Sequence, residues 1–494
     1  MRRAAHMGFR VTGGEIRNDI LVPRYYDPEI HELLDALAPT HELTTVGDLI
    51  DEGSLELRQG KYISKLYYGT GDIPYIRTSD IANGELRSSP KHGMSHGVWS
   101  EYHDQQDVRP GDVLLVHEGT YLIGTCAPVT QYDLPLLFQH HLAKLRTASE
   151  SQLSGPLLAA MLNAPIVQRQ IRAKQFTADV IDSIVGRLQE VVLPIPRDEA
   201  ALTALAANCV AVADERAEAR ARMSLLMRRL DAALIAADPA PVLGVLHDEI
   251  DGGVPIALLG ERIGFRAFRQ ANEAVRNDIL IPAYYDPAIT ESLDGLADSG
   301  CELVSIGDLA NAGVISIETG DEVGKLAYGS GPIPFVRTSD FGTWELKLDP
   351  KQRVSRAVYE SLAAKQSAQA EDLLVVRDGT YLVGTAAMVS PSDVPMLFSG
   401  GVYRVRVEKP KELDPYLLLV LLWSTAVRRQ IRAKRFTRDV IDTLGHRFEE
   451  VLLPIPPGPL AAAIASVAGR LLRRRMELRD ISGGLGAAVE SPAA

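Results

Sequence analysis

Cysteine is scarce in this chain. Cys126, Cys209 and Cys301 are the only three in 494 residues, and their spacing matches neither a disulfide framework nor a metal knuckle. That excludes a stapled secreted scaffold and suits a reducing compartment. Long apolar runs are missing as well. The longest, Tyr416 to Ala426, falls well short of the roughly 20 residues that span a bilayer, so it is expected to be a buried helix and no membrane partner is expected. Met1-Arg2-Arg3 is basic but leads into no apolar core of the kind a secretory signal needs, and the expected location is the cytoplasm. Positive charge is also short: the net charge is −12, which at first sight speaks against a nucleic-acid partner. With 46% apolar and 23% charged residues the composition is that of a globular protein, neither disordered nor fibrous.

Against these deficits stands a duplication. Arg77-Thr78-Ser79-Asp80 recurs as Arg337-Thr338-Ser339-Asp340, an offset of 337 − 77 = 260. The same offset carries Gly119-Thr120-Tyr121-Leu122 onto Gly379-Thr380-Tyr381-Leu382, and Arg169-Gln170-Ile171-Arg172-Ala173-Lys174 onto Arg429-Gln430-Ile431-Arg432-Ala433-Lys434. Two copies predict a pseudo-symmetric molecule of two domains, each of about 240 residues, that meets something with two related halves.

Each copy opens on a proline-containing element, Arg17 to Pro23 and then Tyr25-Tyr26-Asp27-Pro28, matched by Arg276 to Pro282 and Tyr284-Tyr285-Asp286-Pro287. A short helix comes next at Val46 or Ile306, with Thr45 and Ser305 as caps. The strands Ile73-Pro74-Tyr75-Ile76-Arg77 and Ile333-Pro334-Phe335-Val336-Arg337 lie beyond it. Asp112 to Val116 and Tyr121 to Gly124 read as two strands around a turn, and Leu134 to Leu145 completes a small sheet. Leu157 to Lys174 and Pro415 to Lys434 have helical periodicity with arginines on the outer face, and Asp179 to Glu190 reads as a further helix. After each Leu-Pro-Ile-Pro stop comes a long Ala- and Arg-rich helix, the first from about Glu199 to Ala236 and about 55 Å long.

The Ile-Pro-aromatic strand, the Gly-Asp-Val-Leu-Leu strand with Gly-Thr, and the Leu-Pro-Ile-Pro stop, all duplicated and separated by long helices, resemble the DNA-specificity subunit of type I restriction-modification systems. The resemblance runs from about Val46 to Ile481 and rests on order and duplication. It implies a mixed α/β (α+β) fold of two tandem pseudo-symmetric target recognition domains, each with a long helix after it, the helices pairing antiparallel as a spacer. The corresponding division is 1–198 and 265–458 for the recognition domains, 199–237 and 459–482 for the spacer helices, 238–264 for a linker and 483–494 for a flexible tail. It further implies double-stranded DNA as a ligand, read as a bipartite site. The implied partners are adenine methyltransferase subunits and a restriction or translocase subunit of an anti-phage defence complex. No cofactor is expected on this chain; S-adenosylmethionine belongs to the methyltransferase. The Tyr-Tyr-Asp-Pro opening is not typical of that family and resembles the segment after the catalytic domain in adenine methyltransferases. The alternative is a scaffold subunit of a related defence complex with weak DNA contact of its own.

The candidate DNA-binding residues begin with the basic segment Arg169, Arg172 and Lys174 and its copy Arg429, Arg432, Lys434 and Arg435, because such clusters neutralise phosphates whatever the sequence. A solvated helix face is the plainer reading. Arg77 and Arg337 at strand ends either contact DNA or cap the turn beside them. Thr120-Tyr121 and Thr380-Tyr381 are either phosphate contacts or turn residues. If the halves read different bases, the readers must lie where the copies diverge, in 83–107 against 343–367. Arg87, Lys91 and His92 in one copy and Lys347, Gln352 and Arg353 in the other are the base-reading candidates, since Arg and Gln pair bidentately with guanine and adenine. A variable surface loop is the competing reading.

Catalytic readings are weaker. Asp112 with Glu118 lacks the lysine of a nuclease site, Thr120 standing in its place. Gly320 to Lys325 is one residue short of a phosphate loop. His140-His141 becomes Gly400-Gly401 in the copy, and neither a glycine-rich cofactor loop nor an Asn-Pro-Pro-aromatic motif is present. The chain is expected to be non-catalytic, with no metal site.

Overall fold

The computed structural model describes residues 11, 16, 20–87, 90–177, 181–250, 268–271, 275, 279–379, 382–438 and 441–491. These fall into two compact units, residues 11–221 with 477–491 and residues 222–250 with 268–476. Helix and strand are mixed in both. Each unit holds one copy of the repeat and one portion of each long helix, Glu199–Ala236 and Gly458–Glu490.

In the first unit, the strand His41–Thr45 pairs antiparallel with Val192–Pro196, so the start and end of the copy are stitched together. Thr45 then caps the helix Val46–Asp51 in a reciprocal box with Asp48, as its sequence predicts. A four-stranded antiparallel sheet runs in the order Leu55–Gln59, Leu142–Thr147, Val113–Val116, Cys126–Pro128. The strand Val113–Val116 is buried on both faces. That explains its unbroken apolar run, because alternation requires one wet face. On one face Val113 and Leu115 join Leu157, Leu158 and Ile171 of the later helices; on the other Leu114 and Val116 join Ile76, Leu136 and Phe138.

A smaller sheet places Ile73–Ile76 between Leu137–Phe138, which is parallel to it, and the edge strand Gly93–Met94, which is antiparallel. The second unit repeats this plan. Its four-stranded order is Ile315–Thr319, Val402–Val407, Leu373–Val376, Ala386–Met388, and its smaller sheet sets Ile333–Val336 between Leu397–Phe398 and the edge strand Gln352–Val354.

Several elements differ from the sequence reading. Tyr121–Gly124 is a turn rather than a strand. The periodic stretch ending at Lys174 is two helices, Gly155–Leu162 and Pro165–Lys174, because Pro165 starts a new one and disfavours helix at Ala164. In the copy, Ser424 performs the break by capping Thr425–Ala433 through Val427 N. Within the stretch 179–190, residues 179 and 180 lie outside the described residues. The rest is a short strand, Asp182–Ser183, and a 3-10 turn, Leu188–Glu190, rather than a helix.

The expected flexible tail is the largest correction. The second long helix does not stop near 482 but continues to Glu490, and Leu485 and Val489 enter the core of the first unit with Leu202, Cys209 and Val212. Gly486 permits this: a Cβ there would lie 2.5 Å from the Asn163 carbonyl oxygen. Its glycine marks close backbone approach, not looseness. Residues 492–494 lie outside the described residues.

Candidate nucleic-acid interface

Most of the basic helix residues already have protein partners. Arg169 pairs with Glu29 and, at 2.8 Å, with Asp27, and those bonds hold its guanidinium pKa above the ordinary range. Lys174 pairs with Glu190 at 2.7 Å and sits 4.8 Å from the Tyr25 ring centroid, while the Tyr25 hydroxyl donates to Glu190. The copy repeats the arrangement: Lys434 to Glu450 at 2.8 Å, Lys434 over Tyr284 at 4.6 Å, and Tyr284 hydroxyl to Glu450 at 2.6 Å. Arg429 donates to the Ala288 carbonyl at 3.1 Å, and Arg435 lies 3.7 Å from Asp442. Arg172 and Arg432 are half-buried and also have partners. The Tyr-Tyr-Asp-Pro element therefore docks on this helix in both halves, with Asp27 and Asp286 each capping the helix that begins beside it.

The basic segment thus has an internal role, which the sequence hides because its acidic partner Glu29 stands 140 residues away from Arg169. Reversing one charge should separate the two elements. In Arg169→Glu, amide hydrogen exchange across Pro28–Leu37 is expected to accelerate while Val113–Val116 keeps its protection. Unchanged exchange in the helix would remove Arg169 as its anchor.

Arg77 and Arg337 take the capping alternative at the backbone: Asp80 accepts from Arg77 N at 3.1 Å and Asp340 from Arg337 N at 2.9 Å. The Arg77 side chain is folded onto Asp80 and Ser79, whereas Arg337 is exposed with its guanidinium 5.7 Å from the Tyr328 ring. Arg87 is a correction among the base-reading candidates. It is buried beside Asp80, where its charge and that of Arg77 oppose the upward pull of burial on that carboxyl. Lys347 does the same for Asp340 and is half-buried. Thr120 accepts through its carbonyl from Gln175 at 2.8 Å, and Tyr121 is exposed on the turn. Thr380 and Tyr381 lie outside the described residues.

The remaining base-reading candidates fall at the same position within each unit. The divergent stretches are not loops alone; each contains the edge strand of the smaller sheet and then a helix, His96–Gln106 or Arg356–Gln366. Lys91, His92 and Gly93 in one copy correspond to Lys351, Gln352 and Arg353 in the other, with Pro74 opposite Gly93 and Pro334 opposite Arg353. Lys91 and Lys351 are exposed. His92 lies 4.7 Å from the Tyr68 ring, and burial, helped by Arg77 and Lys91, pushes its pKa down to about 4. It is therefore neutral near pH 7, able to donate and accept one hydrogen bond each. Arg353 bonds the Pro332 carbonyl at 2.9 Å and Asp349 at 3.0 Å. Lys351 matches Lys91 at the repeat offset, so divergence singles out neither lysine as a base reader.

The carboxylates that could suggest catalysis are engaged elsewhere. Asp112 is 1% exposed and receives Arg146 at 2.6 and 2.8 Å, as Asp372 receives Arg406 at 2.7 and 2.8 Å. Glu118 pairs with His141 at 3.0 Å. Gly320 serves a close approach, since a Cβ would stand 2.3 Å from the Phe398 carbonyl oxygen. Among the described residues no cluster of three or more His, Cys, Asp or Glu is arranged to hold a metal, and no helix is long and apolar enough to cross a membrane.

Arg146 also bonds Asp107 at 2.7 Å and, against some burial, holds that carboxyl down to about 2. The folded value lies below the roughly 3.9 of an unfolded aspartate. The stabilisation is thus complete above about pH 4 and lost as pH falls through about 2. Asp107→Asn should lower the free energy of urea unfolding by on the order of 1–2 kcal/mol above about pH 4, converging with the parent near pH 2. A difference that persists undiminished at about pH 2 would contradict this assignment.

No protein-family model matches the chain, and no curated protein does. Three solved chains align with it along most of its length. The S subunit of a type I restriction-modification system from M. genitalium is 10% identical over 92% of this chain and 97% of its own, with a TM-score of 0.35. The HsdS subunit from Thermoanaerobacter tengcongensis is 14% identical over 92% of this chain and 96% of its own, with a TM-score of 0.24. A chain from a study of assembly and conformational transition in a type I R-M system is 14% identical, covering 92% and 98%, with a TM-score of 0.25.

Proposed function

We propose that this protein is a non-catalytic subunit that binds double-stranded DNA at a bipartite site and directs an adenine methyltransferase to it. Each copy of the repeat reads one half of the site, and the two long helices act as the spacer. The methyltransferase partner brings S-adenosylmethionine and the chemistry; a restriction or translocase subunit is the further partner in this reading. The place of action is the cytoplasm, in defence against phage.

The observation that carries the reading is the pair of edge strands. Their backbones pair in the same register beside the same proline strand, while His92-Gly93 is replaced by Gln352-Arg353. A common frame with exchanged hydrogen-bonding side chains is what reading two unequal half-sites requires. Lys91 and Lys351, common to both, suit phosphate. Selection of a random duplex pool on the full-length protein should return two fixed segments separated by a free gap. Arg353→Ala should relax the bases of one segment and leave the other unchanged. A pool that returns a single short continuous segment would refute the bipartite reading.

One observation favours the scaffold alternative: Arg169, Lys174 and Lys434 spend their charge inside the protein. A scaffold would enrich no duplex yet co-purify with a methyltransferase. Charge reversal at Lys91 and Lys351 discriminates, since it weakens a DNA reader and leaves a scaffold's assembly intact.

A further inference from the structure

The loop before each proline strand repeats as Lys65-Leu66-Tyr67-Tyr68-Gly69 and Lys325-Leu326-Ala327-Tyr328-Gly329. In both copies its first three residues form a 3-10 turn, Lys65–Tyr67 and Lys325–Ala327. Leu66 is 87% exposed and Leu326 101% exposed. A single exposed leucine is unremarkable; the same leucine left wholly in water at the same place in both halves is not a packing residue of either. Leu21 and Leu280 form another exposed pair, but they adjoin residues 17–19 and 276–278, which lie outside the described residues.

The loop is fastened to the divergent edge strand. Gly69 N donates to the Gly93 carbonyl at 2.9 Å and Gly329 N to the Arg353 carbonyl at 2.8 Å. Thr70 Oγ1 accepts from Ser95 N at 3.1 Å, and Ser330 Oγ from Ser355 N at 2.8 Å. Beneath it, Ile63 is buried with Tyr75, Met94 and Leu137, and Val323 packs against Phe335 and Val354. The leucine thus stands on a seated turn beside the residues assigned above to base reading. An exposed lysine precedes it in both copies. In the first copy Tyr62 and Tyr67 are exposed on the same loop, whereas in the second the neighbour after the leucine is Ala327, so the leucine is the exposed apolar residue that both copies share. Asp321 on the same loop is paired with Lys365, and Glu322 accepts from Gly400 N.

We propose that Leu66 and Leu326 are wedges that enter the DNA duplex between base steps, one at each half-site, next to the bases the edge strands read. Apolar side chains flanked by cations unstack a step in this way, and the bend they introduce brings more protein surface to the DNA. The inference rests on the proposed DNA-reading function.

The test uses the full-length protein and the duplex it enriches from a random pool, with 2-aminopurine placed in turn along each half-site. The parent should raise the fluorescence of one base per half-site on binding. Leu66→Ala with Leu326→Ala should abolish that rise and weaken binding by roughly tenfold to a hundredfold, the worth of burying such side chains. The salt slope should not move, because no cation is lost. Leu66→Met with Leu326→Met should restore both signals. Side chains this exposed leave thermal unfolding unchanged when truncated, which controls for misfolding. Alanine variants that bind and unstack like the parent overturn the wedges and leave DNA reading intact. Variants that keep DNA affinity but lose a methyltransferase make the leucines protein anchors, and overturn the wedges too. If the parent enriches no duplex at all, the functional reading fails and the inference fails with it.

Discussion

Replacing Glu85 by alanine should cost the first unit about 3–5 kcal/mol of stability, the usual penalty for leaving a buried charge without its partner. Glu85 meets Arg216 at 3.2 Å and Arg220 at 3.5 Å, and Arg220 continues to Asp133 at 2.5 Å and to the Leu86 carbonyl at 2.5 Å. The two arginines are 2% and 5% exposed and project from the first long helix. The second unit holds an equivalent contact between Glu345 and Arg475 at 3.4 Å, both nearly excluded from water. These ion pairs fasten each copy of the repeat to a long helix. Removing both charges differs physically from removing one. Glu85→Met combined with Arg216→Met should recover much of the loss, because packed apolar groups carry no desolvation penalty and Arg220 keeps Asp133. Urea unfolding monitored on the first unit measures both variants. A Glu85→Ala protein within about 1 kcal/mol of the parent, on the order of a surface substitution, would show that the network is not what seats the helix.

Glu85 also shows what is legible in the sequence and what is not. The duplication locates the copies, the proline strands and the long helices, because those depend on local pattern and spacing. It also points to 83–107 and 343–367 as the stretches that diverge. Within those stretches Glu85 and Glu345 are nevertheless shared, and that retention is the available signal that they serve the frame rather than recognition. Arg87 misleads for a related reason: an arginine in a polar stretch reads as surface until its buried partner Asp80 is seen. The basic helix presents the same difficulty, since Asp27 and Glu29 complete it from the far end of the domain. Aspartate is retained at 27 and 286, and arginine at 169 and 429. Two complementary charges kept together in both copies are a pairing signal that composition alone does not give.

Ending the chain at Ser482 should destabilise the first unit, although those last residues look like a Gly- and Ala-rich tail. The truncation removes Leu485 and Val489 from a core that includes Leu202 and Val212, a loss of about 3–5 kcal/mol of apolar burial. It also removes Glu490, which accepts from Ile166 N at 2.5 Å and satisfies a donor at the start of the helix Pro165–Lys174. The buried His41 ring nitrogen loses its contact with the Val489 carbonyl at 2.8 Å, and a stranded buried polar group adds its own penalty. Together these predict a fall in Tm of roughly 8–16 °C for the transition of this unit. Val489→Asp should reproduce most of the fall without shortening the chain. A truncated protein whose transition lies within about 2 °C of the parent, the equivalent of less than about 1 kcal/mol, would return these residues to the status of a tail. The predicted loss has a functional corollary, because the same helix end closes the core beneath Ile166 and Ile171. Truncation should therefore loosen the Tyr-Tyr-Asp-Pro element as Arg169→Glu does, through packing instead of charge.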